Sequence, residues 1–295
     1  ITSPTAKVEI SSPLPAKTGP LTIKLIVTEL NGLSGSPALA FTPAGSSSRT
    51  VTLSSLLPST WTGSAFIESF YSTGTAVFSF RAVDLAGNIG SLITIGPTFT
   101  INTAVDGAAG GGVANSDNSA VIVPAGAYTG SLVFNISTVA ASRLSHANSL
   151  ATNSAPLMAN DVTREFTART PAGAPVTSFG APVTIRLCYP DSNNDGRIDG
   201  DFFSEDLARL YWLDESASRW VQLPVRPDTA GNCISAATSH FSVYTIRTMD
   251  ASQFGMGNLK AFPSPCYFDR DPNILTIRGI PPEAQKPEIY IYNTA

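Results

Sequence analysis

Short runs of apolar and β-branched residues, each closed by glycine, proline, asparagine or serine, dominate this sequence. Within a run, apolar and polar side chains tend to alternate, which suits strands that bury one face in a core. The clearest runs are 21–28, 75–83, 92–96, 98–102, 183–189, 219–223 and 241–247. Many such runs at regular spacing predict an all-β fold of tandem, immunoglobulin-like β-sandwiches.

Helices have little support in the sequence. Charged residues make up only 14% of the chain, which argues against coiled coils and long surface helices. The one stretch that offers a helix is 204–211, where Ser204 is a candidate N-terminal cap. Because residues 207–214 alternate like a strand, we favour a strand there.

Two breaks divide the chain into three segments. Residues 104–119 are rich in glycine and read either as a linker or as a long glycine-rich loop. A second break ends at residue 258, after which the strand pattern restarts. We therefore predict domains at 1–104 and 105–248, followed by a truncated third β module at 258–295.

The charge distribution excludes some partners. The chain has 18 Lys and Arg residues, a net charge of −4 and no basic cluster, so duplex nucleic acid and anionic membranes are not expected partners. No apolar run reaches the roughly 18 residues of a membrane-spanning helix. Because the chain opens at Ile1 without a basic and apolar leader, we expect a mature or internal piece of a larger extracellular protein.

The first segment carries a family motif. The sequence Ala-Val-Asp-Leu-Ala-Gly-Asn at 82–88, followed by Phe-Thr-Ile-Asn-Thr at 99–103, resembles a bacterial immunoglobulin-like repeat of large secreted surface proteins. The resemblance spans the segment and implies a spacer or adhesive module. By alternation Phe78 and Phe80 face the core, and we expect Trp61 in that core rather than stacked on a glycan.

The second segment resembles a different β-sandwich. Residues 120–138 are similar to the opening of a domain found in netrin receptors, ankyrins and tight-junction proteins. Residues 183–200, 207–224 and 231–246 resemble the bacterial version of that domain.

The triplet His240-Phe241-Ser242 is the sharpest feature of this segment. In some relatives such a triplet cleaves its own chain: the Ser hydroxyl attacks the preceding carbonyl, His takes the proton, and water hydrolyses the resulting ester. On a strand, residues two apart share a face, so His240 and Ser242 are expected to meet. The alternative is structural, with Phe241 and Val243 in the core and His240, Ser242 and Tyr244 on a polar face.

An acidic loop precedes the strand at 207–214. Oxygen-bearing side chains fall at positions 1, 3, 5 and 9 of a calcium-loop pattern: Asp191, Asn193, Asp195 and Asp199. Gly196 takes the sharp turn at position 6, and Arg197 offers a carbonyl at position 7. Phe202 replaces the usual Glu at position 12, so Glu205 or Asp201 has to substitute. The alternative is a hairpin with an Asn-Asp-Gly turn.

Three cysteines complete the candidate residues. Cys188 and Cys233 lie in two strands of one domain, and we favour a disulfide over two small buried side chains. Cys266 is expected to be a free buried thiol. No Cys-x-x-Cys spacing is present, and two histidines do not make a His-based zinc site.

The third segment resembles the start of a C-terminal domain related to flagellar hook-capping and secretion-sorting modules. The matching residues are 263–265, 275–277, 279–281 and 289–293. About three strands are expected, which would leave bare sheet edges. Either the chain is cut at Ala295 or a neighbour completes the fold.

These features favour a non-enzymatic, secreted or cell-surface bacterial protein made of sandwich spacers, or a subunit of an extracellular filament or surface layer. Its expected partners are other copies of itself or neighbouring surface proteins. One alternative is self-cleavage between Phe241 and Ser242. Another is a glycan-binding accessory module that uses Trp212, Trp220 and Tyr211, although alternation favours their burial. Calcium is the one cofactor that the residues suggest.

Overall fold

The computed structural model describes residues 2–151, 162–200, 204–248, 260–262 and 276–278. Nearly all regular structure in these ranges is strand, arranged in several sheets of β-sandwich type, so the predicted fold class is confirmed. Two large hydrophobic cores form, one from residues between Ala6 and Ile101 and the other from residues between Val105 and Ile246, and a smaller cluster lies outside them.

Strands β1 to β10 form the first sandwich. In chain order their bounds are Thr5–Ile10, Gly19–Thr28, Ala38–Thr42, Arg49–Thr50, Thr52–Leu57, Thr60–Ile67, Gly74–Val83, Ile89–Gly90, Leu92–Ile95 and Thr98–Ile101. One sheet has the order β5-β6-β2-β1-β9, in which β9 runs parallel to β1. The facing sheet has the order β10-β7-β3-β4, and β8 pairs with the end of β7.

Strands β11 to β21 form the second sandwich. Their bounds are Val105–Asp106, Gly111–Ala114, Ala120–Val123, Ser131–Ser137, Thr163–Arg169, Pro175–Val176, Val183–Cys188, Ala208–Asp214, Arg219–Gln222, Cys233–Thr238 and Val243–Thr248. The larger sheet has the order β11-β14-β15-β21-β18-β19, with β16 paired to β15. The smaller sheet has the order β12-β13-β17-β20.

Alternation along β7 explains how the first core forms. Phe78 and Phe80 are 5% and 4% exposed, while Ser79 between them points to solvent. Trp61 is buried in the same core, as predicted. The turn after β7 is held by Asp84, whose carboxylate accepts hydrogen bonds of 2.7 Å from both the backbone N–H and the side-chain amide of Asn88.

A helix, α1, spans Ala141–Ala151 and was not predicted. It packs on the outer face of the larger sheet through Leu144 and Ala147, which contact Leu213 and Val243. At the other disputed position, β18 confirms the strand favoured for 207–214, preceded by a single 3-10 turn at Glu205–Leu207.

The glycine-rich break does not form a long loop. It contains β11 and β12, which begin the two sheets of the second sandwich. Glycine is needed where the chain passes close to itself: a Cβ at Gly107 would lie 2.7 Å from the carbonyl oxygen of Tyr128.

In the third segment the described residues are two short strands, β22 at Lys260–Phe262 and β23 at Thr276–Arg278, which pair antiparallel. Cys266 and the rest of the predicted motif lie outside the described residues. The proposed third module is therefore still a prediction.

Candidate functional site

The two sandwiches meet at a closed ring of three hydrogen bonds. The N–H of Ser69 donates to Oδ1 of Asn115 at 2.9 Å, and Nδ2 of Asn115 donates to the carbonyl oxygen of Ile136 at 2.9 Å. The N–H of Ile136 in turn donates to Oγ of Ser69 at 3.1 Å. All three residues are buried, with exposures of 1%, 6% and 1%.

The ring gives hydrogen-bond partners to part of the edge of β14. β11 pairs with β14 only at its first two residues, Ser131 and Leu132, so Ile136 near the other end has no strand partner on that side. Ser69, from the first sandwich, supplies the missing acceptor through Oγ, and Asn115, from the second, supplies the missing donor through Nδ2. Buried main-chain polar groups need such partners. Undocking the sandwiches would remove Ser69 from the N–H of Ile136 and from Oδ1 of Asn115, whereas the Asn115–Ile136 bond lies within the second sandwich.

A second, exposed contact flanks the ring. The carboxylate of Glu68 accepts hydrogen bonds from Oγ of Ser116 at 2.6 Å and from its N–H at 3.1 Å. On the connecting chain, Nζ of Lys17 donates to the carbonyl oxygen of Ala104 at 3.2 Å. We call the ring and the Glu68–Ser116 contact the joint. Its residues are Glu68, Ser69, Asn115, Ser116 and Ile136.

The predicted disulfide is present. Cys188 at the end of β17 and Cys233 at the start of β20 are paired across the two strands and bonded to each other. The bond closes a loop whose ends are 45 residues apart in sequence. That loop contains the acidic segment, β18 and β19.

The acidic loop is held by its own hydrogen bonds. The carboxylate of Asp191, 6% exposed, accepts from the N–H groups of Asp195 at 3.2 Å and Gly196 at 3.3 Å. Asp199 accepts from the N–H of Ser192 at 3.0 Å and from its hydroxyl at 2.7 Å, and these bonds lower the pKa of Asp199. Residues 201–203, which include Asp201 and Phe202, lie outside the described residues.

Glu205 lies against this loop. Its side chain is 8% exposed, and Oε2 accepts a hydrogen bond of 3.1 Å from the hydroxyl of Tyr189. Burial raises the pKa of Glu205; the Tyr189 hydrogen bond opposes the rise, and the nearby carboxylates of Asp191, Asp206 and Asp195 add to it. The structure thus places one of the two suggested substitute ligands beside the predicted calcium loop.

The calcium prediction itself stays untested. Asn193, Asp195 and Arg197 are linked in sequence by local bonds, with Oδ1 of Asp195 accepting from the N–H of Arg197 at 2.9 Å. Within the described ranges, no three His, Cys, Asp or Glu side chains converge closely enough to hold a metal ion. Binding would therefore require the loop carboxylates to turn from their present partners toward the ion.

The triplet at 240–242 precedes β21 rather than lying on it. Oγ of Ser242 donates to the carbonyl oxygen of Leu213 at 2.8 Å, so its proton is directed away from His240. The exposed His240 ring packs edge-on against Trp212, with centroids 4.9 Å apart. The arrangement expected for general-base assistance is therefore not formed in this structure.

The structure also differs from the simple strand alternative for this triplet. Phe241 packs against the second core, contacting Phe134 and Phe179, as that alternative expected. Tyr244, however, is 1% exposed and lies in the same core rather than on a polar face. Val243 is buried on the opposite side, beneath α1, because both faces of β21 are covered.

The aromatic residues suggested for glycan binding are not exposed. Tyr211 is 5% exposed and its hydroxyl donates to Oε1 of Gln222 at 2.9 Å. Trp212 is half-buried against the core. Trp220 is half-buried as well; its Nε1 donates to Oδ1 of Asn148 at 2.9 Å, and the Arg247 guanidinium lies 4.7 Å from its ring centre.

Sequence reasoning missed a shallow hollow of about 190 Å³ beside α1. Its lining includes Ser218, His146 and Glu215, the side-chain types of a catalytic triad. Glu215 is ion-paired with Arg143, which also pairs with Glu165 at 2.7 Å. The hydrogen bonds of these described residues include none between Ser218 and His146, so the residues share a surface without the coupling that nucleophilic catalysis needs.

Helix α1 is too short and too polar to cross a bilayer, and no other helix in the described ranges qualifies.

No family model and no curated protein matches the chain. Solved structures give weak likenesses. One is a DUF4785 family protein from Legionella pneumophila, with a TM-score of 0.26, 8% identity, and coverage of 83% of this chain and 47% of that chain. Another is a cycloalternan-forming enzyme from Listeria monocytogenes in complex with a pentasaccharide substrate, with a TM-score of 0.22, 10% identity, and coverage of 82% and 30%.

The chain therefore spans about half the length of the first protein and under a third of the second. TM-scores this low carry no argument about function. The domain families suggested by the sequence motifs stay predictions.

Proposed function

We propose that this protein is an extracellular structural spacer, in which two β-sandwiches are held at a fixed joint to carry or position neighbouring surface modules. The observation that carries the proposal is the buried ring of Ser69, Asn115 and Ile136. Two of its three bonds, both made by Ser69, cross between the sandwiches. A flexible tether would leave the groups of these two bonds to water, whereas a spacer that must keep its shape needs them paired inside.

Two further features support an extracellular setting. The Cys188–Cys233 disulfide is the kind of bond that persists in oxidising compartments and is rare in the cytosol. The low share of charged residues places most surface polarity on hydroxyl and amide groups. The proposed partners are other copies of the chain or neighbouring surface proteins.

Residual dipolar couplings measured separately in the two sandwiches of the full chain test the fixed joint. We expect one alignment tensor to fit both sandwiches in the wild type, and two different tensors in Asn115→Ala. Asn31→Ala, an exposed amide in the loop after β2, is the matched control and should behave as wild type. Independent tensors in the wild type would contradict the proposal.

Calcium binding is a second proposal for the same protein. It is favoured by the position of Glu205, a buried carboxylate beside Asp191 and Asp195 that a bound cation would stabilise. In a spacer, such an ion would fix the long loop between Cys188 and Cys233.

Self-cleavage at Phe241–Ser242 has less support, because the Ser242 hydroxyl is engaged with Leu213. Denaturing electrophoresis tests it directly: cleavage gives two fragments, whereas an intact 30.8 kDa band contradicts it.

A further inference from the structure

An open strand edge runs along β5 in the first sandwich. The sheet order places β6 on one side of β5 and, among the described residues, no strand on the other. Pairing with β6 is regular from Thr52 to Ser55, and Leu56 is the extra residue at a break in register. The main-chain N–H and C=O groups along such an edge are available to another strand.

The other edge strands of the two sandwiches are shorter than β5, are covered by another part of the chain, or expose only small side chains. β4 and β11 have two residues each, and β9, β12 and β19 have four. β10 is covered by Ala16, which donates to the carbonyl oxygen of Thr100 and accepts from the N–H of Asn102, both at 2.8 Å. β20 is as long as β5, but the side chains it exposes, those of Ser235 and Ala237, are small.

β5 combines its six-residue length with exposed aliphatic side chains. Leu56 and Leu57 are 58% and 60% exposed. A strand added along this edge would gain main-chain hydrogen bonds and would remove apolar area from water at the same time. No residue of β5 is a lysine, a glutamate or a proline, the residues that commonly block strand addition. The register break at Leu56 interrupts the strand towards its end and leaves Thr52–Ser55 as its regular part.

The absence of charge on this edge makes a second copy a compatible partner. Neither β5 nor its neighbour β6 carries a charged residue, so a strongly charged strand would find no counter-charge there. A second copy offers the same uncharged row, and an antiparallel pairing of two identical edges places no like charges opposite each other. Such a contact is closed by a two-fold axis and stops at two chains.

We propose that β5 of one chain pairs antiparallel with β5 of a second copy, giving a weak symmetric dimer that joins two first sandwiches into one continuous sheet. The proposal names a partner for the spacer and rests on that proposed function. It assigns the exposed leucines of β5 to the dimer contact.

The test is sedimentation equilibrium of the full chain over a wide range of concentration, with Ser55→Lys as the edge variant. Paired edges bring the two lysines close together, so the dissociation constant should rise by about tenfold or more. Ser79→Lys is the matched control, because Ser79 is an exposed serine on β7, which has strand neighbours on both sides. Its dissociation constant should equal that of the wild type.

Hydrogen exchange of the wild type gives a second readout that does not depend on a variant folding. The amides of Thr52–Leu57 should become more protected as concentration rises, while those of β9 should not change. A chain that stays monomeric at every concentration, or a dimer that leaves these amides unprotected, overturns the proposal. A monomer whose two sandwiches still share one alignment tensor would overturn the dimer alone and leave the spacer proposal standing.

Discussion

The first sandwich exposes aliphatic side chains that the second keeps covered. Among the described residues, every strongly exposed large hydrophobic side chain except Ile122 lies between Leu14 and Ile95. The second sandwich instead buries the guanidinium groups of Arg209 and Arg247 and adds a helix, a disulfide and an acidic loop. The first sandwich therefore has apolar surface available for contacts, whereas the second holds buried charged groups and is reinforced by a helix and a disulfide.

The buried cations show how that interior is held. Arg209 donates from Nη1 to the carbonyl oxygens of Asp206 and Ala208, both at 2.7 Å, and burial lowers its pKa. Arg247 lies over Trp220 and donates to Asn148 of α1. Buried charges are tolerated only with such partners, so α1 and the larger sheet depend on each other.

Matched core truncations should show the largest effect on this comparison. Phe41 and Phe134 are both 1% exposed, one in each core, so Phe41→Ala and Phe134→Ala should each cost about 3–5 kcal/mol of unfolding free energy. Calorimetry should show that Phe41→Ala lowers mainly the unfolding transition of the first sandwich and that Phe134→Ala lowers mainly that of the second. A single transition that shifts equally in both variants would mean that the joint couples the sandwiches into one cooperative unit.

Removing the disulfide should have the next largest effect, confined to the second sandwich. For a loop with ends 45 residues apart, the chain-entropy estimate is about 4 kcal/mol. The double variant Cys188→Ser/Cys233→Ser should therefore lower the unfolding transition of the second sandwich and leave that of the first unchanged. Thermal unfolding under non-reducing conditions measures this; equal loss in both sandwiches would contradict the distinction between them.

Glu205→Gln should have the smallest effect on stability, and it tests what the acidic loop does. The pKa of Glu205 is raised in the folded state, so its carboxyl group loses its proton at a lower pH in the unfolded chain than in the folded one. Between the ordinary glutamate value of 4.5 and the raised pKa, ionisation therefore favours the unfolded chain. Stability is therefore lost over that window, and the neutral glutamine should raise the melting temperature near pH 7 after chelator treatment.

Added calcium should reverse the order of the two melting temperatures, those of the wild type and of Glu205→Gln. The wild type should then be stabilised and Glu205→Gln should gain little, because a bound cation needs the carboxylate charge. Glu215→Gln, at an exposed carboxylate outside the loop, is the control: it loses its ion pair with Arg143 but should keep the full wild-type response to calcium. A wild-type melting temperature that calcium leaves unchanged would limit the loop to a structural turn.

Local patterns predicted those parts of the fold that depend on neighbours in sequence. Alternation placed Phe78 and Phe80 in the core because side chains two apart on a strand share a face. Helix α1 was missed because its sequence is short and rich in serine, and the apolar contacts described for it involve two residues, Leu144 and Ala147.

The joint was beyond local reasoning for a different reason. Ser69 and Asn115 are 46 residues apart, and neither lies in a motif, so their contact depends on how two complete sandwiches dock. The same applies to Ser242, whose partner Leu213 lies 29 residues away. The spacing of the triplet suggested a strand, but it carried no information about where the Ser242 hydroxyl would point.

The covalent closure between β17 and β20 has a consequence for resistance to proteolysis. Every peptide bond from residue 189 to residue 232, including those of the acidic loop, lies inside the closed ring. A protease that nicks this stretch once leaves both pieces tethered, because the severed ends stay linked through sulfur. The acidic loop is thus a segment in which a single cut does not release a fragment.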